Sequence, residues 1–380
     1  MTASTTRGNL QALVQEMHSH VDPFISDIPK VELHLHIEGT ITPALRWKLA
    51  QRHGITLKSE RTGEIYDTIE KLQASYELHR AQYKPGEGAE ATFFELYYGG
   101  FEVLQTEEDF YDLAMNMFEL AAKMNVRYVE PFFDPQGHTR RGVPLDAVMK
   151  GFRRAQLTAE KDLNVKSQWI MCMLRDMTLE SATEHYEAAL PYRDMIVAIG
   201  LDSMEEGHPP SQFYKLFERA RADGFKLTCH CDPGVPDTMS NMEQVLNDIG
   251  GTGADRCDHG LSAAHDPQLV QGFVEKKIGM TLCPWAYFCL SPETDIMGKV
   301  RQLYDAGVQV TINSDDPAYM DGCWIVHNLH LARLMCGFSD ADIVRLQRNA
   351  VDMCWAPQEV KSAITKELEE FAARNITGKA

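Results

Sequence analysis

The feature that most constrains the fold of this chain is a set of histidine and aspartate residues that each close a short apolar run. These residues are spread over most of the sequence: His34, His36, His230, His259, Asp315 and Asp316. Apolar runs rich in β-branched residues are typical of strands, so the set would lie at strand ends. A barrel of parallel strands places the carboxyl ends of all its strands around one mouth. The pattern therefore predicts a barrel with these side chains gathered at its mouth, and with them a metal-dependent hydrolase.

Further apolar runs of strand length complete the barrel pattern. With the first one, eight can be counted: 29–37, 127–133, 166–174, 195–201, 225–230, 255–259, 278–284 and 308–314. Stretches between them, such as PSQFYKLFERARADG, repeat their apolar residues at helical spacing. Alternating strands and helices indicate a parallel sheet, and eight repeats favour closure. The predicted fold class is α/β, as a (β/α)8 barrel of the TIM type.

We expect one domain that spans residues 1–380, because no repeat and no low-complexity linker divides the chain. Its length exceeds the usual size of a single domain, but one large barrel can contain it. Roughly residues 40–125, between the first and second predicted strands, have mostly helical spacing. They predict a helical insertion beside the barrel. The residues after the last strand predict extra C-terminal helices.

Composition narrows the class of protein. The formal net charge of -18 argues against nucleic-acid binding, which usually requires a basic face. The N-terminus lacks the apolar core of a signal peptide, and no apolar stretch has the length of a membrane span. The nine cysteines show no disulfide framework. We expect a cytoplasmic protein without a nucleic-acid or membrane partner. Its oligomeric state stays open.

The spacing of the histidines suggests a metal centre. His34 and His36 are two residues apart on a strand, so their side chains point to the same face. Taken alone, such a pair is more often two hydrogen-bonded core histidines, but His230 and Asp315 also end strands. Three neutral imidazoles and one carboxylate suit Zn2+ and leave a position for water, whose pKa the metal lowers. A Cys–His site around His230 is conceivable, but no second cysteine pair at zinc-ribbon spacing supports it.

The two remaining members of the set have more than one interpretation. His259, in the motif DHG, would act as a base or orient the hydroxide, unless it is a capping or core histidine. Asp315 and Asp316 are adjacent, so their side chains point apart. One can therefore bind the metal while the other contacts the substrate or a histidine. Pairs of aspartates are commonly turn residues, but this pair follows a β-branched run and precedes Pro317, as a strand end would.

From about residue 29 to about residue 350 the chain resembles the adenosine/adenine deaminase family of the amidohydrolase superfamily, and most closely the adenine deaminase branch. The order of the metal-type motifs is that of the family. The longer motifs that carry the resemblance are FFELYYGGFEVLQTEEDFYDLA, YVEPFFDPQGHTRRGVP, GLDSMEEGHPPSQF, DHG and NSDDPAYMDG. Matches of this length rarely arise by chance.

The resemblance implies a fold, a reaction and a set of roles. The implied enzyme is a barrel hydrolase that acts on C–N bonds, deaminating adenine or a related small heterocycle with one Zn2+ per chain. Hydroxide adds to the amino-bearing ring carbon and ammonia leaves. The implied zinc ligands are His34, His36, His230 and Asp315. His259 would position or deprotonate the water, and Asp316 would accept a hydrogen bond from the ring. Ser203 and Glu205 fall where the family contacts the purine edge.

The chain departs from the family pattern at the proton donor. The family usually has His-Ala-Gly-Glu at the fifth strand, where the Glu protonates the ring nitrogen; here the Glu position is Pro233. Loss of a general acid typically costs about 10²- to 10⁴-fold in rate. Asp232, one position earlier, is predicted to supply the proton. Otherwise the substrate receives the proton elsewhere or does not need it.

A second departure follows the seventh strand, where the family usually has a small polar pair after Cys-Pro. Here Trp285, Tyr287 and Phe288 would either stack on a planar substrate or pack the loop. Trp285 is predicted to contact substrate. Two other functions stay open: a repurposed hydrolase that cleaves a different C–N bond or leaving group, and a non-catalytic zinc or heterocycle-binding protein.

Overall fold

The structure, a computed structural model, describes residues 7–59, 62–82 and 89–376. Its parallel strands alternate with helices in chain order, as predicted. Two of the eight barrel strands, β2 and β3, are each interrupted by an irregular residue or two. The strands are β1 (Lys30–Glu32), β2 (Val126–Val129 and Phe132–Phe133), β3 (Lys166–Ser167 and Trp169–Leu174), β4 (Ile196–Asp202), β5 (Lys226–Cys231), β6 (Arg256–His259), β7 (Gly279–Leu282) and β8 (Val310–Ile312).

Backbone pairing closes the strands into a ring in sequence order. Each strand pairs in parallel with the next one along the chain, from β1 to β8. Closure comes from the residues just after β1 and β8, where Leu35 and Asp315 form a parallel bridge. Asp315 N donates to His34 O at 3.1 Å, and His36 N donates to Asp315 O at 3.1 Å. The predicted (β/α)8 barrel is confirmed, and its closing contact lies at the predicted metal ligands.

Helices surround the ring and cover its mouth. Their bounds are α1 (Arg7–Ser19), α2 (Pro23–Asp27), α3 (Pro43–His53), α4 (Ile69–Gln82), α5 (Ala89–Gly100), α6 (Glu107–Lys123), α7 (Pro135–Thr139), α8 (Leu145–Asp162), α9 (Leu179–Ala189), α10 (Tyr214–Ala222), α11 (Thr238–Asn247), α12 (Pro267–Lys276), α13 (Pro284–Leu290), α14 (Ile296–Asp305), α15 (Ile325–Cys336), α16 (Asp340–Met353) and α17 (Gln358–Asn375). Among the described residues, no helix combines the length and the apolar composition that crossing a membrane requires.

The described part of the region predicted as a helical insertion holds four α-helices, α3 to α6. Local sequence sets the bounds of α3: the Thr42 hydroxyl accepts from Leu45 N, and Gly54 ends the helix at φ 64°. The last helix, α6, packs against α8 and beside β2. It therefore belongs to the ordinary outer ring of the barrel. Among the described residues of this region, the helices additional to the repeat are therefore α3, α4 and α5, which precede α6 in the chain.

The apolar core lies mainly between the strands and the outer helices, where Trp169 stacks on Phe152 with ring centroids 4.3 Å apart. Inside the barrel, at the end away from the mouth, the side chains are polar. Arg256 Nη1 donates to Glu130 Oε2 at 2.8 Å, and the guanidinium lies 4.0 Å from the Trp355 ring centroid. These buried charges are paired, which is the condition for charged groups to be stable in an interior.

Candidate metal centre and active-site cavity

The four predicted metal ligands converge at the mouth of the barrel. His34 and His36 follow β1, His230 lies on β5 and Asp315 follows β8. His36 Nε2 and His230 Nε2 are 3.1 Å apart. Asp315 Oδ1 is 3.4 Å from His34 Nε2 and 3.6 Å from His36 Nε2. Residues separated by most of the chain therefore face a single point.

Hydrogen bonds on the far side of two imidazoles select their tautomers. His34 Nδ1 lies 2.8 Å from Thr281 Oγ1, whose hydroxyl donates to Asp258 Oδ1 at 3.0 Å. The hydroxyl proton is thus in use, so His34 Nδ1 must be the donor to the oxygen. His230 Nδ1 lies 3.2 Å from the Leu201 carbonyl, which can only accept. Both rings therefore present an unprotonated Nε2 to the centre of the cluster, as metal ligands do.

The electrostatics also favour neutral imidazoles. Burial lowers the pKa of His34 and His230 well below the usual range, and it lowers the pKa of His36 to about 4. His34 Nε2 has no hydrogen-bond partner among the residues described by the structure. His36 Nε2 lies 3.1 Å from the unprotonated Nε2 of His230. A tetrahedral zinc with bonds of 2.0–2.1 Å has ligand atoms about 3.3 Å apart, so the spacing here fits a divalent cation.

Backbone conformation aims several of these side chains into the mouth. Three non-glycine residues directly at or after strand ends adopt the left-handed region: Ser203 (φ 72°), His259 (φ 60°) and Asp315 (φ 65°). This region is unfavourable for residues with a Cβ, and such residues occur most often at functional sites. The turn directs each side chain across the barrel mouth instead of along the strand.

His259 is held from both sides. Its Nε2 lies 3.0 Å from Asp232 Oδ1, and its Nδ1 lies 3.1 Å from Tyr287 Oη. Tyr287 Oη accepts from Cys283 N at 2.9 Å. Burial alone lowers the pKa of His259, but the nearby Asp232 carboxylate outweighs it, and the pKa rises to about 9. Asp232, the predicted replacement for the missing glutamate, therefore does reach the centre of the site.

Asp316 is buried beside Asp315 and packs against Gly39. Burial and the neighbouring Asp315 carboxylate raise the pKa of Asp316 well above its usual range. Its Oδ1 accepts no hydrogen bond within the described part of the chain. A Cβ at Gly39 would lie 2.8 Å from Asp316 Cα and closer still to Oδ1. Glycine at this position is therefore a requirement of the close approach between the two loops.

We predict that Gly39→Ala destabilises the protein by about 1–3 kcal/mol, because the added methyl group overpacks a buried contact with no room to yield. The melting temperature should fall, and Asp316 should move. The matched control is Gly99→Ala, where the nearest atom to the new Cβ, Arg46 Nη2, is 3.9 Å away. Calorimetry of both variants checks the prediction. Equal melting temperatures would contradict the proposed close contact.

These residues border a cavity of about 410 Å³ at the barrel mouth. The predicted site residues that line it are His36, His230, His259, Asp232, Asp315, Asp316 and Ser203. His34 lies beneath them and is fully buried. Aromatic side chains of α5 form the opposite wall, including Phe93 and Tyr97. The cavity therefore has a polar floor formed by the site residues and an aromatic wall. This arrangement suits small planar ligands.

Two residues predicted to contact substrate do not line the cavity. Glu205 is fully buried and accepts from Asp232 N at 2.7 Å and from Asn241 Nδ2 at 2.8 Å, with Arg175 Nη1 3.7 Å away. It contacts the backbone that carries Asp232 instead of the cavity. Trp285 donates from Nε1 to Asp321 Oδ2 at 3.2 Å and also faces away.

Both corrections have a local cause. After β4, the left-handed turn at Ser203 reverses the alternation of side chains, so that Met204 and Glu206 line the cavity and Glu205 does not. After β7 the chain enters helix α13 at once. On a helix, neighbouring residues do not share a face. Tyr287, two residues further on than Trp285, is therefore the aromatic residue that lines the cavity.

Besides Glu206, two buried acidic residues of the cavity were not predicted from the sequence: Asp134 and Asp202. Asp202 ends β4 and Asp134 follows β2, so the strand-end pattern that identified the other residues also applied to them. Tyr97 Oη donates to Asp134 Oδ2 at 3.2 Å. Burial and the Glu38 carboxyl raise the pKa of Asp134 to about 8. A single acid after an apolar run is common at turns, which is why neither residue was singled out.

Comparison with known proteins agrees with this geometry. Residues 29–371 match the adenosine deaminase family model. An uncharacterized deaminase from Schizosaccharomyces pombe is 40% identical over 93% of this chain and 98% of its own length. An adenine deaminase from Rhodospirillum rubrum is 38% identical over 92% of this chain and 98% of its own length. The crystal structure of an adenine deaminase from Arthrobacter aurescens superposes with a TM-score of 0.81 at 33% identity, covering 91% of this chain and 99% of that one.

Proposed function

We propose that this chain, which belongs to the adenosine deaminase family, is a metal-dependent aminohydrolase that releases ammonia from adenine or a closely related aminated N-heterocycle. The observation that carries the proposal is the convergence of the three histidines and Asp315 beside His259 and Asp232 in one cavity. Such an arrangement provides a metal site, a group that orients water and a group that moves a proton, which hydrolysis of an aromatic amine requires.

For the metal we propose one Zn2+ per chain, held by the ligand set His34, His36, His230 and Asp315. When bound, the ion lowers the pKa of water so that hydroxide is available near neutral pH. The donor set is the support for this assignment: imidazole nitrogens and a carboxylate are the ligands of catalytic zinc sites. The selected tautomers of His34 and His230 leave both Nε2 atoms free to bind the ion.

The other residues of the site divide the proton transfers between them. A C–O bond forms at the ring carbon, the attacking water gives up a proton, and the adjacent ring nitrogen gains one. The C–N bond then breaks as the amino group takes the remaining proton of the added hydroxyl and leaves as ammonia, and the ring carbon becomes a carbonyl. We propose that His259 orients the water and that Asp232, 3.0 Å from His259 Nε2, carries the proton to the ring nitrogen. Asp316 and Ser203, both of which line the cavity, would hydrogen-bond to the ring.

Glu205 takes a positioning role in this proposal. Because its carboxylate accepts from the backbone N–H of Asp232, it holds the turn after β5 that directs the Asp232 side chain at His259. Arg175 supports the same turn, since its Nη1 donates to the carbonyl of His230 at 2.9 Å. Trp285 has no proposed contact with substrate. Location in the cytoplasm, and the lack of nucleic-acid and membrane partners, stay predictions from the sequence.

The proposal is tested by incubating the zinc-loaded protein with adenine, adenosine, N6-substituted adenines and pterins and measuring ammonia. We expect ammonia from at least one of these aminated heterocycles, with the corresponding hydroxy or oxo product identified by mass spectrometry. A product without ammonia would instead indicate a hydrolase with a different leaving group. Binding of a heterocycle without any product would indicate a non-catalytic protein. Either result would refute the proposed function.

We predict that Tyr287→Phe lowers kcat by about tenfold. The hydroxyl contacts His259 Nδ1 at 3.1 Å, and a hydrogen bond of this kind contributes about 1 kcal/mol. Without it the imidazole of His259 loses one of the two contacts that hold its orientation, so the pH profile of kcat should also shift. The control is Tyr186→Phe, which removes another tyrosine hydroxyl, bonded to Asp223 on the outer helices. If Tyr287→Phe matched the wild type in both rate and pH profile, the positioning role would be wrong.

A further inference from the structure

One side of the cavity is apolar and begins directly after Asp232. It is formed by the loop that follows β5 and by the end of helix α13 with the residues just after it. Two of its side chains are half-buried and therefore open to the cavity. None of its members is a proposed metal ligand. We call this surface the apolar ledge, and its five residues are Pro233, Val235, Pro236, Leu290 and Pro292.

The two segments of the apolar ledge are fixed against each other. Ser291 Oγ donates to the Pro233 carbonyl at 2.7 Å and accepts from Glu293 N at 3.1 Å. Pro292 packs against Gly234, where an added Cβ would lie 2.5 Å from Pro292 Cδ. These contacts tie the loop after β5 to the end of α13. The apolar ledge is therefore a preformed part of the cavity wall.

The apolar ledge has little capacity to hydrogen-bond to a ligand. Pro233, Pro236 and Pro292 have no backbone N–H group, because proline lacks this donor. The carbonyl oxygens of Pro233 and Val235 already accept hydrogen bonds from within the protein. A polar group that left water for this surface would lose hydrogen bonds without replacement. An apolar group would instead gain free energy by leaving water.

The proposed chemistry determines which part of the ring meets the apolar ledge. In that reaction Asp232 carries a proton to the ring nitrogen next to the amino-bearing carbon, so this nitrogen faces Asp232. The ledge begins at Pro233, the next residue, where the family usually has glutamate. The ring atom beyond the protonated nitrogen, which in adenine is the carbon C2, is therefore directed at the ledge.

The size of the cavity leaves room for a group on that carbon. The volume of about 410 Å³ lies in the range of about 300–1,000 Å³ that is typical of sites for drug-sized ligands. A purine that carries only an amino group is smaller than ligands of that class. With such a purine bound, the apolar surface of the ledge would stay in contact with water, which is unfavourable.

We propose that the apolar ledge is a substituent subsite, and that the chain acts on an aminated N-heterocycle that carries an apolar group, such as a short alkyl chain, on the ring carbon beyond the protonated nitrogen. The inference rests on the proposed function for the orientation of the ring. It names a narrower substrate class than adenine. A hydrogen atom at C2 leaves the ledge unoccupied, and a polar group at C2 meets a surface without partners.

The test uses ligands that cannot be deaminated, so that it does not depend on turnover. The probes are hypoxanthine, 2-propylhypoxanthine and 2-(methoxymethyl)hypoxanthine. The two substituents have the same length, but the second contains an ether oxygen in place of a CH2 group. Isothermal titration of the zinc-loaded chain should show the propyl compound binding at least about tenfold more tightly than either of the others, because each buried CH2 group strengthens binding about fourfold.

Variants locate the effect. Val235→Thr and Leu290→Asn each place a polar group in the apolar ledge at nearly unchanged size. Each should lower the preference for the propyl compound over the ether by at least about threefold, because the added polar group favours the ether oxygen. The preference is a ratio of two dissociation constants for one protein, so a partly unfolded variant does not alter it. Leu157→Asn is the matched control and should keep the wild-type ratio, because Leu157 is exposed on α8 and outside the cavity.

The outcomes separate this inference from the proposed function. If 2-propylhypoxanthine bound to the wild type no more tightly than hypoxanthine, the subsite would be overturned, even if adenine released ammonia. A preference for the propyl compound that is unchanged in both ledge variants would also overturn it. If the preference is present and falls in either ledge variant but not in Leu157→Asn, the subsite stands, even if no substrate in the panel released ammonia and the proposed function failed.

Discussion

Replacing His230 by alanine is expected to remove the bound metal and to lower kcat by at least about a thousandfold. The metal contributes several kcal/mol to the reaction, and each 1.36 kcal/mol corresponds to tenfold in rate. His230 lies on β5 with its Nε2 3.1 Å from that of His36, so its loss opens one side of the ligand set. Metal content by elemental analysis and the rate of ammonia release are measured together.

The control for this variant is His265→Ala. His265 is an exposed histidine that contacts Glu293 outside the cavity, so its removal deletes an imidazole without touching the site. We expect full metal content and an unchanged rate. If His230→Ala retained its metal and its activity, the ligand assignment and the chemistry built on it would both fail.

The second large effect is expected for Asp232→Asn, which should lower kcat by about 10²- to 10⁴-fold while zinc stays bound. The amide keeps the size of the side chain but cannot pass a proton between His259 and the ring nitrogen. Asp232 Oδ1 is 3.0 Å from His259 Nε2, and the side chain is 28% exposed toward the cavity, so it can reach both. Since binding of the ring relies on other residues, KM should change less than kcat.

Asp237→Asn is the matched change in the same loop. Asp237 is exposed and does not line the cavity, so this variant should keep the wild-type rate. A normal turnover number for Asp232→Asn would show that the proton comes from elsewhere. The remaining question would then be which of the other cavity acids, such as Asp202, takes that place.

The strands and the convergence of the four proposed metal ligands were predictable because they obey a rule of the fold. Parallel strands of a barrel share one mouth, so polar residues at the ends of apolar runs must meet there. His34, His36, His230 and Asp315 were found in this way. The tautomers were not predictable, because the partners that select them, Thr281 and the Leu201 carbonyl, are contacts between strands.

Two predictions of substrate contacts were wrong because the local backbone departs from the regular alternation of side chains along a strand. Glu205 was assigned to the cavity from its motif, but the left-handed Ser203 turns the following residues by one position. Trp285 was predicted to contact substrate as one of the aromatic residues after the seventh strand, but that segment is helix α13, from which Tyr287 and not Trp285 lines the cavity. Asp134 was overlooked because a single acid after an apolar run is common at turns, although the strand-end pattern also applies to it. Which residues after Ser203 and in α13 face the cavity depends on a few backbone angles, and composition and periodicity do not encode these angles.

The contact that closes the barrel has a practical consequence. Asp315 exchanges backbone hydrogen bonds with His34 and His36, so ring closure and the assembly of the reaction centre are one event. A chain whose first and eighth strands have not met holds no complete ligand set. Ammonia release therefore counts only fully closed molecules, and its recovery during refolding provides a label-free assay for the last step of assembly.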